Sequence, residues 1–206
     1  FEMKKVSQNK ITKIRNKPSR KQAEEAVKTL IKWAGDNPER EGLQETPKRV
    51  VNSYKEFFSG YDSKPEQILS KTFDEVEGYD EMVIVRDIAI ESHCEHHMVP
   101  FIGIAHIGYI PNKRIVGISK LARIADVFAK RLQTQEIMTA QIADTINEVL
   151  KPKGVAVVID AQHQCMTTRG THKTESSTIT SRMLGLFRTN SNTRSEFMNL
   201  INSANS

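Results

Sequence analysis

The chain has 206 residues, 38% hydrophobic and 27% charged, which suits one full core and falls short of two ordinary domains. No run approaches membrane-spanning length and the start lacks an apolar leader, so the expectation is a soluble, cytoplasmic protein with no membrane partner. The net charge of +5 would suit a nucleic-acid binder, but eight of the 30 Lys/Arg lie within residues 1–21 beside Glu2 alone, and the rest of the chain is slightly acidic. The basicity reads as a solvated, flexible tail over residues 1–20, and no nucleic-acid partner is expected.

From Lys21, apolar positions at Ala23, Ala26, Val27, Leu30, Ile31 and Ala34 recur at helical spacing until Gly35 and Pro38 stop them. Thr46-Pro47 predicts a second helix start, with Thr46 as cap, and the stripe Val50, Val51, Tyr54, Phe57, Phe58 runs to Gly60. The period then shortens. Residues 82–90 read as a strand broken at Arg86-Asp87, and 101–110 as another, with Gly103 and Gly108 as candidate bulges. Residues 114–118 make a short third strand, with Pro111-Asn112 as a hairpin turn between the last two.

Two helices follow, one from about Ser119 to Leu132 and one from Gln135 to Leu150, which Pro152 and Gly154 end. Residues 155–160 and 178–187 read as strands. A closing helix carries a capping box at Thr193 and Glu196. No βαβ repeat is present, so the fold class is α+β, a mostly antiparallel sheet with helices on one face. Residues 21–206 read as a single domain, with a helical part over about 21–72 and the sheet-bearing part over about 73–206.

The densest chemistry is Glu91-Ser92-His93-Cys94-Glu95-His96-His97, matched later by His163-Gln164-Cys165. Zinc takes thiolate and imidazole, and a catalytic site uses three protein ligands with one position left for water. Cys94 and His97 can reach one ion from a single turn, and Cys165 can complete the set. The plain alternative is two buried free cysteines beside surface histidines. His96 and His163 are then free to carry protons or to orient the ligands.

Lys48, Arg49 and Lys120 fall in first turns of helices, with Arg123 three residues after Lys120 and Ser119 able to donate. The helix macrodipole disfavours cations there by roughly 0.3–1 kcal/mol each, and a bound anion reverses that. Glu136 can accept from the N1–H and exocyclic amine of guanine together, or simply be an acidic residue in a first turn. Arg169 faces either phosphates or solvent.

In this order, Thr46-Pro47-Lys48-Arg49, Cys94-Glu95-His96-His97, residues 117–123, Gln133-Thr134-Gln135-Glu136, His163-Gln164-Cys165 with Arg169-Gly170, and residues 192–197 resemble the GTP cyclohydrolase I family from about residue 22 to the end. Thr134 departs from the apolar residue usual there. The resemblance implies a tunnelling fold and hydrolysis of GTP to 7,8-dihydroneopterin triphosphate and formate, at the entry to folate or pterin synthesis. It implies Zn²⁺ on Cys94, His97 and Cys165, and proton transfer by His96 and His163. It assigns guanine to Gln135 and Glu136, the triphosphate to Arg49, Lys120, Arg123 and Arg169, and the ribose or phosphate region to Ser119. It also implies a homodecamer with active sites between subunits. A related pterin or deazaguanine enzyme, or a structural-zinc module binding nucleic acid, are the competing readings.

Overall fold

A computed structural model describes residues 16–70, 72–73 and 79–203 of the chain. The basic extension therefore lies mostly outside the described residues. In chain order come helices α1 (Arg20–Trp33), α2 (Thr46–Phe57) and α3 (Pro65–Leu69), then strands β1 (Thr72–Phe73), β2 (Val83–Cys94), β3 (Pro100–Ile110) and β4 (Ile115–Val116). Next are α4 (Ile118–Ala129), β5 (Leu132–Gln133), α5 (Gln135–Leu150), β6 (Gly154–His163) and α6 (Gln164–Thr167). β7 (Thr178–Gly185), α7 (Leu186–Thr189) and α8 (Ser191–Asn202) close the chain.

The main sheet has the order β5-β2-β3-β6-β7, antiparallel throughout except for the short parallel pair β2–β5. This is the α+β class expected from the sequence. Alternation along β6 sorts its side chains to two faces. Val155, Val157 and Ile159 join Leu121, Ile124, Phe128, Met138, Ile142 and Ile146 in the larger core, under α4 and α5. Each such side chain contributes about 1.5–3 kcal/mol by leaving water. Ala156 and Val158 face the other way and meet Phe187, Phe197 and Ile201, so α8 additionally covers one end of the second face.

Several local expectations need correction. The Arg86-Asp87 break is a register shift between Val85 and Ile88, with Asp87 at φ 59°, inside one long strand. Gly103 and Gly108 are not bulges but stay in register opposite Ala161 and Ala156. A Cβ on Gly108 would lie 2.8 Å from the Phe197 ring, so close packing of α8 selects glycine there. β4 pairs with β1, not with β3 across a hairpin. Capping also differs: Glu45, not Thr46, precedes α2, and Asn190, not Thr193, accepts from Asn192 and Thr193 amides at the start of α8. Thr134 caps α5 by accepting from the Ile137 amide at 3.3 Å, worth about 1 kcal/mol, which gives this polar residue a local role.

Among the described residues, no helix is long and apolar enough to cross a membrane.

Candidate metal centre and proton-transfer site

Cys94 ends β2, and the chain must reverse at once to enter β3. The Met98 amide donates to the Cys94 carbonyl at 2.8 Å and the Cys94 amide to Val99 at 2.9 Å, with Met98 itself at φ 54°. This tight turn folds His96 and His97 back over the sulfur: Cys94 Sγ lies 3.6 Å from His96 Nδ1 and 3.8 Å from His97 Nδ1. Residues 93–94 pair with β5, and the Glu95 amide donates to Gln133 at 2.9 Å. The start of α5 is thereby pinned beside the turn.

The third component arrives with β6. Its register sets His163 opposite Phe101, and the two rings stack with centroids 4.6 Å apart and planes 11° apart. Cys165 then follows in α6, and this helical turn brings it back toward Cys94. The ligand atoms of Cys94, His97 and Cys165 all lie within 4.8 Å of one another. Both cysteines are free thiols. Burial pushes the Cys165 thiol up from its ordinary range, and the neighbouring Cys94 adds to the push.

His163 is the best-anchored group in the site. Its Nε2 lies 2.8 Å from Gln135 Oε1. Burial holds its imidazole below the ordinary range, and the nearby Glu136 carboxylate pulls it partly back. Gln135 is 1% exposed and donates from Nε2 to the carbonyls of Thr178 at 2.7 Å and Ile159 at 3.0 Å. The position implied for Gln135 on guanine thus coincides with a side chain already engaged inside the protein. Glu136, the next residue, is exposed.

Arg169 donates to His97 Nε2 at 3.2 Å, joining the loop after α6 to the cluster. The other expected anion contacts stand further off in the chain's own architecture. Arg49 is exposed in the first turn of α2, a helix whose far end docks beside Cys94 through Phe57, 4.6 Å from the His93 ring. Ser119 and Arg123 are exposed and Lys120 half-buried in the first turns of α4. Among the described residues, no side-chain hydrogen bond joins these four to the cluster. Gly117 caps α4 without a side chain, which leaves the helix's first N–H groups open to a ligand. Lys48 is instead paired with Glu45 at 3.5 Å.

Phe101, Thr139 and Thr180 had no signal in the sequence. Phe101 reads as an ordinary strand residue, and its stack on His163 depends on a register between distant strands. Thr139 and Thr180 lie on α5 and β7 with their hydroxyls 2.7 Å apart.

The GTP cyclohydrolase I family model matches residues 23–202. The chain is 57% identical over 191 residues to GTP cyclohydrolase 1 of Maricaulis maris, covering 93% of each chain. It is 56% identical over 196 residues to GTP cyclohydrolase 1 of Brucella suis, covering 95% of this chain and 92% of that one. A solved structure of the archaeosine synthase QueF-Like in the apo form matches 50% of this chain and 93% of its own, at 13% identity and TM-score 0.40.

Proposed function

This chain belongs to the GTP cyclohydrolase I family, and from that premise we propose that it hydrolyses GTP to 7,8-dihydroneopterin triphosphate and formate with one zinc ion at Cys94, His97 and Cys165. The observation that carries the reading is the convergence of two thiols and an imidazole within 4.8 Å, with His163 anchored two residues from Cys165. The donor set fits the ion. Two thiolates and one neutral imidazole balance a dication and leave a fourth position open. A cation there would hold both sulfurs as thiolates against the burial, and the neighbouring Cys94, that push the Cys165 thiol up. The chemistry zinc supplies when bound is activation of water for attack on carbon, here C8 of the purine.

The chain's own residues do the rest. Glu136 accepts from the N1–H and exocyclic amine of guanine, a two-point match that adenine cannot make. The open N–H groups of α4, with Ser119, Lys120 and Arg123, receive the triphosphate and ribose, together with Arg49 and Arg169. Holding both ends of GTP fixes the ring over the cluster and converts binding energy into orientation. His163 and His96 move protons as the imidazole ring of the purine opens and formate leaves. His96 is solvent-facing and suits exchange with water, whereas His163 is the anchored partner.

Assembly as a homodecamer, with anion contacts completed between subunits, belongs to the same reading. β7 is an edge strand of the sheet, and Ile102, Ile104 and Ile179 are 49%, 39% and 67% exposed, features that suit a second copy of the chain. Two thiols kept as ligands suit a reducing cytoplasm, and the product suits an entry into pterin or folate synthesis.

Incubation of the zinc-loaded chain with GTP should release formate and leave a pterin that fluoresces after oxidation. Zinc-loaded protein that yields neither rejects the reading. ATP should yield no formate, and equal turnover of both nucleotides would reject the role given to Glu136.

A further inference from the structure

The hydrogen bonds around Gln135 decide a question that the side-chain identities leave open, namely which nitrogen of His163 carries the proton. The Gln135 side chain has one end facing two backbone carbonyls, Thr178 at 2.7 Å and Ile159 at 3.0 Å. Carbonyl oxygens only accept, so the amide NH₂ must point at them and the amide oxygen must point the other way. That oxygen lies 2.8 Å from His163 Nε2. An amide oxygen also only accepts, so Nε2 must be the donor.

The surrounding hydroxyls agree with this direction. Thr139 Oγ1 donates to the Gln135 carbonyl at 2.7 Å, which spends its proton. In the 2.7 Å pair between Thr139 and Thr180, Thr180 must then donate. Thr180 Oγ1 keeps its lone pairs toward Gln135 Nε2 at 3.2 Å. No member of the network has to face a like partner. Phe101, stacked on the ring 4.6 Å away, fixes its plane.

We propose that Gln135 is a positioning residue that holds His163 as the Nε2–H tautomer, so that Nδ1 is the nitrogen that takes and returns protons during turnover. The proposal rests on His163 serving as a proton carrier in GTP hydrolysis. When Nδ1 accepts a proton, the ring becomes an imidazolium that still donates from Nε2 to Gln135, so the anchor stays intact through the cycle. Returning the proton to a departing nitrogen restores the starting tautomer. This role differs from the guanine contact that family resemblance implies for Gln135, and the two make opposite kinetic predictions.

Neutron diffraction of the zinc-loaded full chain at about pH 8, above the ordinary imidazole range, reads the assignment directly. Deuterium should appear on His163 Nε2 and none on Nδ1, with both Gln135 amide deuterons aimed at the Thr178 and Ile159 carbonyls. Deuterium on Nδ1, with or without one on Nε2, overturns the proposal. Gln135→Met supplies the kinetic arm: kcat should fall about a hundredfold, at the lower end of what a positioned acid–base group contributes, while KM for GTP holds. A raised KM with kcat preserved would make Gln135 a substrate contact and overturn the positioning role. Formate release by the unaltered chain is scored separately: an inactive chain carrying the expected deuterium pattern would sink the functional reading and leave the tautomer standing.

Discussion

The two sides of the candidate site are built in opposite ways. Around His163 the protein is closed: Gln135 is 1% exposed, each polar atom of the Gln135–Thr139–Thr180 network has a partner, and Phe101 covers the ring. Around His96, His97 and Arg169 it is open: the side chains are exposed, Arg169 lies 3.2 Å from His97, and the two imidazoles approach Cys94 Sγ at 3.6 and 3.8 Å. A proton carrier has to be oriented before substrate arrives, because reorienting it during the reaction adds to the barrier. Groups that meet a triphosphate gain their geometry from the ligand, and charges left in water until then avoid the desolvation that burial would impose. On the proposed reading, the closed side keeps the His163 proton carrier oriented, while the open side meets the triphosphate and lets His96 exchange protons with water.

If that division is right, substitutions on the two sides should fail differently. Cys165→Ser removes a ligand shared by both, and should cut metal content from about one ion per chain to near none and take turnover to background. Metal analysis paired with formate release checks it. His163→Ala should keep the ion yet lose about 10²–10⁴-fold in kcat, the range for a positioned acid–base group. An empty site in that variant would make His163 a ligand and erase the distinction. Glu136→Gln, on the open side, should spare metal content and kcat and raise KM for GTP roughly tenfold to a hundredfold, the loss of a charged hydrogen bond.

The smallest effect is expected outside both regions, at His106. This imidazole is buried, accepts from the Asp87 amide at 3.2 Å, and is held below its ordinary range by burial, with Asp87 pulling less strongly the other way. A folded state that disfavours the charged ring binds fewer protons than the unfolded chain, whose histidine titrates near 6.5. Stability is therefore full above that pH and declines as pH falls below it. His106→Gln should flatten part of that slope in melting temperature between about pH 7.5 and 5, leaving the share from His93 and His163, which burial also depresses. An unchanged slope would show that His106 is not among the groups that set it.

What could be read from the chain alone followed distance along it. Helical spacing located α1, α2 and α5 to within a residue or two, because their apolar stripes are local. Cys94, His97 and Cys165 stood out since thiols and imidazoles in two short clusters are rare outside metal chemistry, and their ligand atoms do converge. The rest depended on pairings between distant segments. β5 is two residues long and exists only because residues 93–94 lie beside it. The link between Gln135 and His163 spans 28 positions, and nothing in either neighbourhood announces it. Thr134 stood out only as a departure from the family pattern, and its role in capping a helix shows only in the fold.

In the proposed function everything turns on two sulfurs and one imidazole of this chain holding an ion with one position left open. X-ray absorption at the zinc edge of the purified, GTP-free protein tests it most directly. Two sulfur ligands, one imidazole and one light-atom ligand that GTP perturbs are expected. A second imidazole or a carboxylate filling the fourth position, or a protein that takes up no zinc, would contradict it.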